Sequence, residues 1–198
     1  HQGPDGIAIF NQDNELTREM AGRAPGRVYR FSRRGPVANG VYVADGRIVV
    51  HMDGQERTLF ATDRILIPGQ HNVENYLAAI AAVQGLVPDE VIRHTAETFP
   101  GVEHRIELVR TLDGVRYYND SIASSPTRTI AGLRSFKQKV ILIAGGYDKH
   151  IPFDVLGQEI PEHVKVLVLT GHTADKIEQA VLSAENYRPG HPVIVRKD

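Results

Sequence analysis

The first 60 residues combine short stretches in which apolar residues alternate or run unbroken, as in strands, with turn residues between them. A short apolar run at Gly6–Phe10 precedes the capping residues of a predicted helix that extends to about Met20. Three strand patterns follow, at 28–32, 41–44 and 47–50, and Asp-Gly pairs suited to tight hairpin turns stand at 45–46 and 53–54. We interpret these strands as a small antiparallel meander that ends near Phe60.

Beyond Pro68 and Gly69, the apolar residues repeat with the spacing of helices. The segment His71–Leu86 is rich in alanine and has apolar residues at helical spacing, and Pro88 begins a second helical pattern that ends near Phe99. Pro100 and Gly101 interrupt the pattern. We therefore expect two domains, at 1–100 and 101–198.

The second domain is predicted to alternate strands and helices. A hairpin around Asp113-Gly114 comes first, followed by a helix with Pro126 in its first turn and by strands at 140–144, 164–170 and 193–195 separated by helices. The unbroken apolar run Val140–Ala144 predicts a strand buried on both faces. The chain is therefore expected to be α/β, with a mixed sheet of antiparallel hairpins and helices in the first domain and a Rossmann-like parallel sheet in the second.

Composition narrows the classes of function. Hydrophobic residues make up 41% and charged residues 24% of the 198 positions, as in ordinary globular proteins, and the net charge of −1 gives no reason to expect a nucleic-acid partner. No apolar run approaches the ~20 residues of a membrane span, so we expect no membrane association. The lack of cysteine fits a reducing compartment, and we expect a cytoplasmic location. Because no initiator Met or signal peptide is present, we expect the chain to be a piece of a longer protein.

Two clusters of polar residues follow predicted strands, at the end where open α/β sheets bind their ligands. Gly145–Lys149 combines two glycines, which let a backbone approach a ligand, with a cation suited to a carboxylate or phosphate. Tyr118–Ser121 places an amide, a carboxylate and a hydroxyl before a helix N-terminus. A Gly-Gly turn with a solvated lysine, and an Asx turn with a helix cap, are the simpler interpretations of these clusters.

Two more clusters lie on either side of the domain boundary. Asn72 and Asn75 are one helical turn apart and can present two amides to a flat polar ring, although Asn72 also suits a helix cap. Arg105 can stack on a base or bind an anion, or it can be a simple surface cation. The sequence contains no H-E-x-x-H zinc motif, no G-x-x-x-x-G-K-[ST] phosphate loop and no G-x-S-x-G nucleophile motif.

These four clusters, in this order, resemble the Mur ligases, the ATP-dependent amino-acid-adding enzymes of peptidoglycan synthesis. The segment that begins at His71–Asn75 matches the family's H-N-x-x-N-x-x-A-A helix, and Gly101–Arg105 matches its G-x-x-H-R entry to the C-terminal domain. Asn119–Ser124 resembles the N-D-S-x-A-[ST] segment, and Gly145–Lys149 resembles the Gly-Gly-x-x-Lys strand end. Ile7–Asn14 is similar to the V-N-x-D-D stretch late in the central domain.

The resemblance implies that the first domain is the C-terminal portion of an ATP-binding central domain and the second a truncated amino-acid-binding domain. It implies an enzyme that adds D-glutamate to UDP-N-acetylmuramoyl-L-alanine through an acyl phosphate, with ATP and Mg²⁺ as cofactors. The partners are then these two substrates, and we expect a monomer. The magnesium ligands are expected mainly outside this segment, with no metal-binding residue assigned within it.

Carried over by position, four residues would bind the nucleotide. Asn72 and Asn75 would line the adenine pocket. Arg105 would pack on the nucleotide and reach its phosphates, and Asp120 would bind the ribose hydroxyls. Because the sequence contains no phosphate loop, we expect the chain alone to be inactive, and steady ATP-dependent ligation by the purified chain would contradict this expectation.

Three residues would bind the incoming amino acid. Lys149 would be the catalytic residue that pairs with a carboxylate of D-glutamate, and Ser121 and Ser124 would line the same end of the cleft. Ile122 stands where some family members have lysine, so no phosphate contact is expected from that position.

Two alternatives remain open from the sequence. A sister enzyme, either another Mur ligase or a folylpolyglutamate synthase-like ligase, would share the ATP chemistry but use a different acceptor. The absence of the arginine-containing motif expected of diamino-acid-adding members favours D-glutamate addition. A non-catalytic nucleotide- or amino-acid-binding module would lack a catalytic domain by nature, and an upstream G-T-N-G-K-[ST] in the full gene would exclude it.

Overall fold

Two α/β units, which join between Pro100 and Gly101, make up the chain. They are seen in a computed structural model that describes residues 2–197. The first unit contains, in chain order, β1 Ile7–Asn11, α1 Glu15–Ala21, β2 Arg27–Ser32, β3 Gly40–Ala44, β4 Arg47–Met52, β5 Gln55–Ala61, a 3₁₀ turn Thr62–Arg64, α2 Gln70–Ala82 and α3 Asp89–Thr98. The second contains β6 Glu107–Leu112, β7 Val115–Asn119, α4 Pro126–Leu133, β8 Val140–Gly145, α5 Asp154–His163, β9 Val164–Thr170, α6 Ala174–Leu182 and β10 Val193–Arg196.

The first unit is built on one five-stranded sheet with the strands in chain order, β1 to β5. The hairpins β3–β4 and β4–β5 are antiparallel, as their Asp-Gly turns predict. The predicted meander is wrong for its first strand, because β2 pairs with β3 in parallel, with Arg30 opposite Gly40. No tight turn stands in the connection 33–39, and Gly40 lets the strands approach: a β-carbon there would lie 1.9 Å from the carbonyl oxygen of Arg30.

The core of the first unit lies between this sheet and helices α2 and α3. Its fully buried side chains come from the inward positions of the strands and from one face of α2, and they are Val41, Ile48, Val50, Leu77, Ile80 and Ala81. Helix α2 ends at Ala82, earlier than the predicted Leu86, because the backbone turns at Gly85 with a φ of 77°.

The second unit contains a β6–β7 hairpin and a three-stranded sheet in the order β10-β9-β8. Both pairings in this second sheet are parallel, which confirms the predicted Rossmann-like arrangement. Helices α4, α5 and α6 contribute to a single core with the inward side chains of the strands, which include Leu142, Leu167 and Leu169. No helix among residues 2–197 is both long enough and apolar enough to span a membrane.

The prediction that the first strand of this sheet is buried on both faces is wrong. Ile141 is 56% exposed and Ile143 is 72% exposed, whereas Val140, Leu142 and Ala144 pack against the core. Side chains alternate between the two faces of a strand, so only every second residue of this apolar run is buried. The helices α4, α5 and α6 all contribute to the core on that one face.

Helices α5 and α6 pack closely at Gly157, and this contact gives a stability prediction. A β-carbon at Gly157 would lie 2.2 Å from the carbonyl oxygen of Ala180. Gly157→Ala is therefore expected to lower the free energy of unfolding of the second unit by about 2–3 kcal/mol, measured by urea denaturation. The matched control is Gln158→Ala, on the exposed side of the same helix. A Gly157→Ala variant as stable as this control would contradict the packing described here.

Candidate functional site

The first two turns of α2 hold the two predicted adenine-binding asparagines as neighbours. Gly69 is the residue before the helix, with a φ of 105°, and its carbonyl oxygen accepts the backbone N–H of Asn72 at 3.0 Å. The Asn72 side chain donates from Nδ2 to the carbonyl oxygen of Pro68 at 2.6 Å. Its Oδ1 accepts a hydrogen bond from Nδ2 of Asn75 at 3.2 Å.

These contacts give the two side-chain amides different roles. Asn72 is 6% exposed, and both ends of its side chain are used within the protein. It lies inside the helix, so the alternative interpretation of Asn72 as the helix cap is wrong. Asn75 is exposed and is oriented by Asn72. Of the two amides, Asn75 is therefore the one available to a ligand, and Asn72 fixes its position.

The segment before β6 has an unusual backbone on both sides of Arg105. His104 and Ile106 have φ values of 64° and 46°, in the left-handed region that non-glycine residues rarely adopt. Asn119 Nδ2 donates to His104 Nδ1 at 2.8 Å, and the Ile106 N–H donates to Oδ1 of Asp120 at 3.1 Å. Residues 119 and 120 thus stabilise a conformation that leaves the Arg105 side chain exposed.

The carboxylate of Asp120 lies between this segment and α4. A β-carbon at Gly132 would stand 2.9 Å from Asp120 Oδ2, so the small residue in the helix makes room for the carboxylate. The Ser121 N–H donates to Oδ1 of Asn119 at 3.1 Å, which is the Asx turn considered from the sequence. Helix α4 begins after Ser125 with Pro126 in its first turn, as predicted.

The loop after β8 is anchored to the loop after β9 through a backbone contact. Gly145 and Gly146 have φ values of 143° and 116°. The Gly146 N–H donates to the carbonyl oxygen of Thr170 at 3.2 Å, and the Gly146 carbonyl oxygen accepts from the N–H of Thr173 at 3.2 Å. Lys149 lies at the exposed end of this anchored loop. The loop is at the carboxyl edge of a parallel sheet, the common ligand-binding edge of such sheets.

Sequence reasoning did not identify the ion pair that stabilises this loop. Asp148 Oδ2 lies 2.5 Å from Nζ of Lys176 on α6, and Asp148 Oδ1 accepts the N–H of His150 at 2.8 Å. The Lys176 ammonium, followed by the His150 N–H, lowers the pKa of the Asp148 carboxyl. The i to i+2 spacing of Asp148 and His150 is a signal for the Asx turn, but 28 residues separate Asp148 from Lys176 and no pattern links them.

The structure brings some of the predicted site residues together. In the second unit, Asp120 contacts the backbone beside Arg105. Ser121 and Ser124 are exposed in the loop that follows Asp120, and no hydrogen bond within residues 2–197 links either serine to the Lys149 loop. The asparagine pair belongs to the first unit. Each unit therefore carries one part of the expected set.

Comparison with known proteins identifies two family models along the chain. The Mur ligase middle domain matches residues 1–83, and the Mur ligase glutamate ligase domain matches residues 104–197. A UDP-N-acetylmuramoylalanine–D-glutamate ligase of Acetivibrio thermocellus is 57% identical over 191 residues, which are 96% of this chain and 41% of that relative. The ligase of the same name from Clostridium beijerinckii is 48% identical, over 94% of this chain and 40% of the relative.

Solved structures show the same fold at lower sequence identity. MurF from Acinetobacter baumannii matches with a TM-score of 0.66 and 20% identity, over 97% of this chain and 43% of that chain. A folylpolyglutamate synthase from Mycobacterium tuberculosis, solved in complex with ADP, matches with a TM-score of 0.60 and 16% identity, over 98% and 45% of the two chains. The chain spans about two fifths of the length of the curated relatives it matches.

Proposed function

Because the chain belongs to the Mur ligase family, we propose that it is part of a longer ATP-dependent ligase that adds D-glutamate to UDP-N-acetylmuramoyl-L-alanine. The observation that carries this proposal is the 57% identity, over 96% of the chain, to a relative named for that reaction. The reaction serves peptidoglycan synthesis, and we place it in the cytoplasm. We also propose that the protein is a monomer.

The residues for nucleotide binding divide between the two units. In the first, the exposed amide of Asn75 suits the hydrogen-bonding edge of adenine, and Asn72 orients it. In the second, the Arg105 guanidinium suits the base or the phosphates, and the carboxylate of Asp120 suits the ribose hydroxyls. ATP supplies the phosphoryl group that activates the alanyl carboxylate, and this chain's residues contribute its binding and orientation.

The residues for the incoming amino acid lie in the second unit. Lys149 is an exposed cation for which no ion pair is seen within residues 2–197, and its loop is anchored to the sheet through Gly146. A cation in such a loop suits a carboxylate of D-glutamate and orients the amine for attack on the activated carboxylate. We propose Ser121 and Ser124 as further contacts to this substrate.

No preformed magnesium site is seen in the part of the chain that the structure describes. Among residues 2–197, no group of three or more His, Asp or Glu side chains is arranged to bind a metal ion. We assign no magnesium ligand to this segment. We propose that its ligands lie in another part of the longer protein.

Genetic replacement tests the proposed function. The gene for the complete protein is expressed in a bacterium depleted of its own D-glutamate-adding ligase, and growth is expected to be restored. A parallel strain depleted of its diamino-acid-adding ligase is the control, and its growth is expected to stay arrested. Restored growth in the second strain but not in the first would contradict D-glutamate addition and favour a sister ligase.

A further inference from the structure

The proposed D-glutamate-binding lysine has an acidic residue as its immediate neighbour. Asp148 precedes Lys149 in the loop after β8, and both lie at the carboxyl edge of the sheet. A carboxylate in this position has two unfavourable effects on an acidic ligand: it can pair with the ammonium of Lys149, and its charge repels the ligand. For Lys149 to bind an acidic ligand, the Asp148 carboxylate must therefore pair with another group.

The carboxylate has a structural use in the loop. Asp148 Oδ1 accepts the N–H of His150 at 2.8 Å, and His150 has a φ of 57°. This Asx turn fixes the backbone on either side of Lys149, the residue between them. Asp148 thus shapes the loop through a hydrogen bond, for which an amide oxygen would serve as well as a carboxylate.

The negative charge of Asp148 is engaged by a second lysine. Lys176 Nζ lies 2.5 Å from Asp148 Oδ2, and only 21% of the Asp148 side chain is exposed. Lys176 stands in the first turn of α6, close to Thr173, whose N–H donates to the Gly146 carbonyl oxygen. The imidazole Nδ1 of His150 lies 3.8 Å from the same carboxylate oxygen. The N-terminal end of α6 therefore both anchors the loop through Thr173 and supplies the Lys176 ammonium that pairs with Asp148.

We propose that Lys176 is a positioning residue that pairs with Asp148 and thereby leaves the Lys149 ammonium available to a carboxylate of D-glutamate. This inference rests on the proposed function. Lys149 and Asp148 of the loop and Lys176 of α6 together carry a net positive charge, and the paired and unpaired lysines have different tasks. Lys176 acts through Asp148 and does not contact the substrate.

Steady-state kinetics of the complete ligase test this proposal. Lys176→Met is expected to raise the KM for D-glutamate about tenfold, because Asp148 then competes for Lys149, with kcat and the KM for ATP within about twofold of the wild type. Lys176→Arg is expected to keep the wild-type KM, since it retains the cation. The matched control is Lys165→Met, an exposed lysine near the opposite end of β9.

The double variant Asp148→Asn/Lys176→Met distinguishes this role from a structural one. Asparagine keeps the acceptor for the His150 N–H and removes the charge, so the KM for D-glutamate is expected to return to within about twofold of the wild type. An unchanged KM in Lys176→Met, or a double variant as impaired as the single one, would overturn the proposal while leaving the proposed function intact. A wild-type ligase that does not use D-glutamate would overturn both.

Discussion

Replacement of Lys149 by Met in the complete ligase is expected to lower kcat/KM for D-glutamate roughly 30- to 1,000-fold, because a carboxylate of the substrate loses its charged partner. The KM for ATP is expected to stay near the wild-type value, since the proposed nucleotide contacts are made by Asn75, Arg105 and Asp120. The measurement is ADP release at varied D-glutamate concentration.

The controls for this prediction separate charge from geometry. Lys149→Arg keeps the cation but replaces a compact ammonium by a planar guanidinium, so an intermediate loss is expected. Lys165→Met removes an exposed lysine from another part of the same unit and is expected to keep full activity. A loss of less than about threefold in Lys149→Met would show that the carboxylate is bound by other groups.

Gly145→Ala is expected to lower the free energy of unfolding of the second unit by about 3–4 kcal/mol, because it combines backbone strain with a direct clash. The φ of Gly145 is 143°, and a β-carbon there would lie 1.6 Å from the carbonyl oxygen of Thr170. That oxygen also accepts the N–H of Gly146, so the substitution disturbs the contact that anchors the Lys149 loop.

The adjacent glycine provides a matched control for this second prediction. The φ of Gly146, 116°, also strains any residue that has a β-carbon, but a β-carbon there would meet nothing within 4 Å. Gly146→Ala is therefore expected to cost only about 1 kcal/mol, which isolates the strain from the clash. Equal destabilisation of the two variants, measured by urea unfolding, would contradict the close approach of Gly145 to β9.

Much of the fold could be predicted from local patterns. The Asp-Gly pairs gave the hairpins β3–β4 and β6–β7, and the alternating strands and helices after residue 139 gave the parallel sheet. The errors concern pairing and burial, which depend on distant residues. Whether β2 and β3 run parallel depends on the path of the connection 33–39 between them. The exposure of Ile143 depends on which face of the sheet the helices cover.

The candidate site shows the same division between local and distant contacts. The spacing of Asn72 and Asn75 predicted that their amides would be neighbours, but it could not show that Asn72 is directed inward to Pro68. The ion pair between Asp148 and Lys176 joins a loop to a helix and has no sequence signature. The resemblance to the family points to Asp120 as a ligand of the ribose, and its hydrogen bond to the backbone beside Arg105 adds a structural role.

The identity of the added amino acid is the central claim, and product analysis tests it most directly. The complete protein is incubated with ATP, Mg²⁺, UDP-N-acetylmuramoyl-L-alanine and one amino acid at a time, and the products are identified by mass spectrometry. We expect a ligated product and stoichiometric ADP with D-glutamate, and little product with L-glutamate, L-lysine or meso-diaminopimelate. Efficient ligation of one of these other amino acids, with none of D-glutamate, would contradict the account.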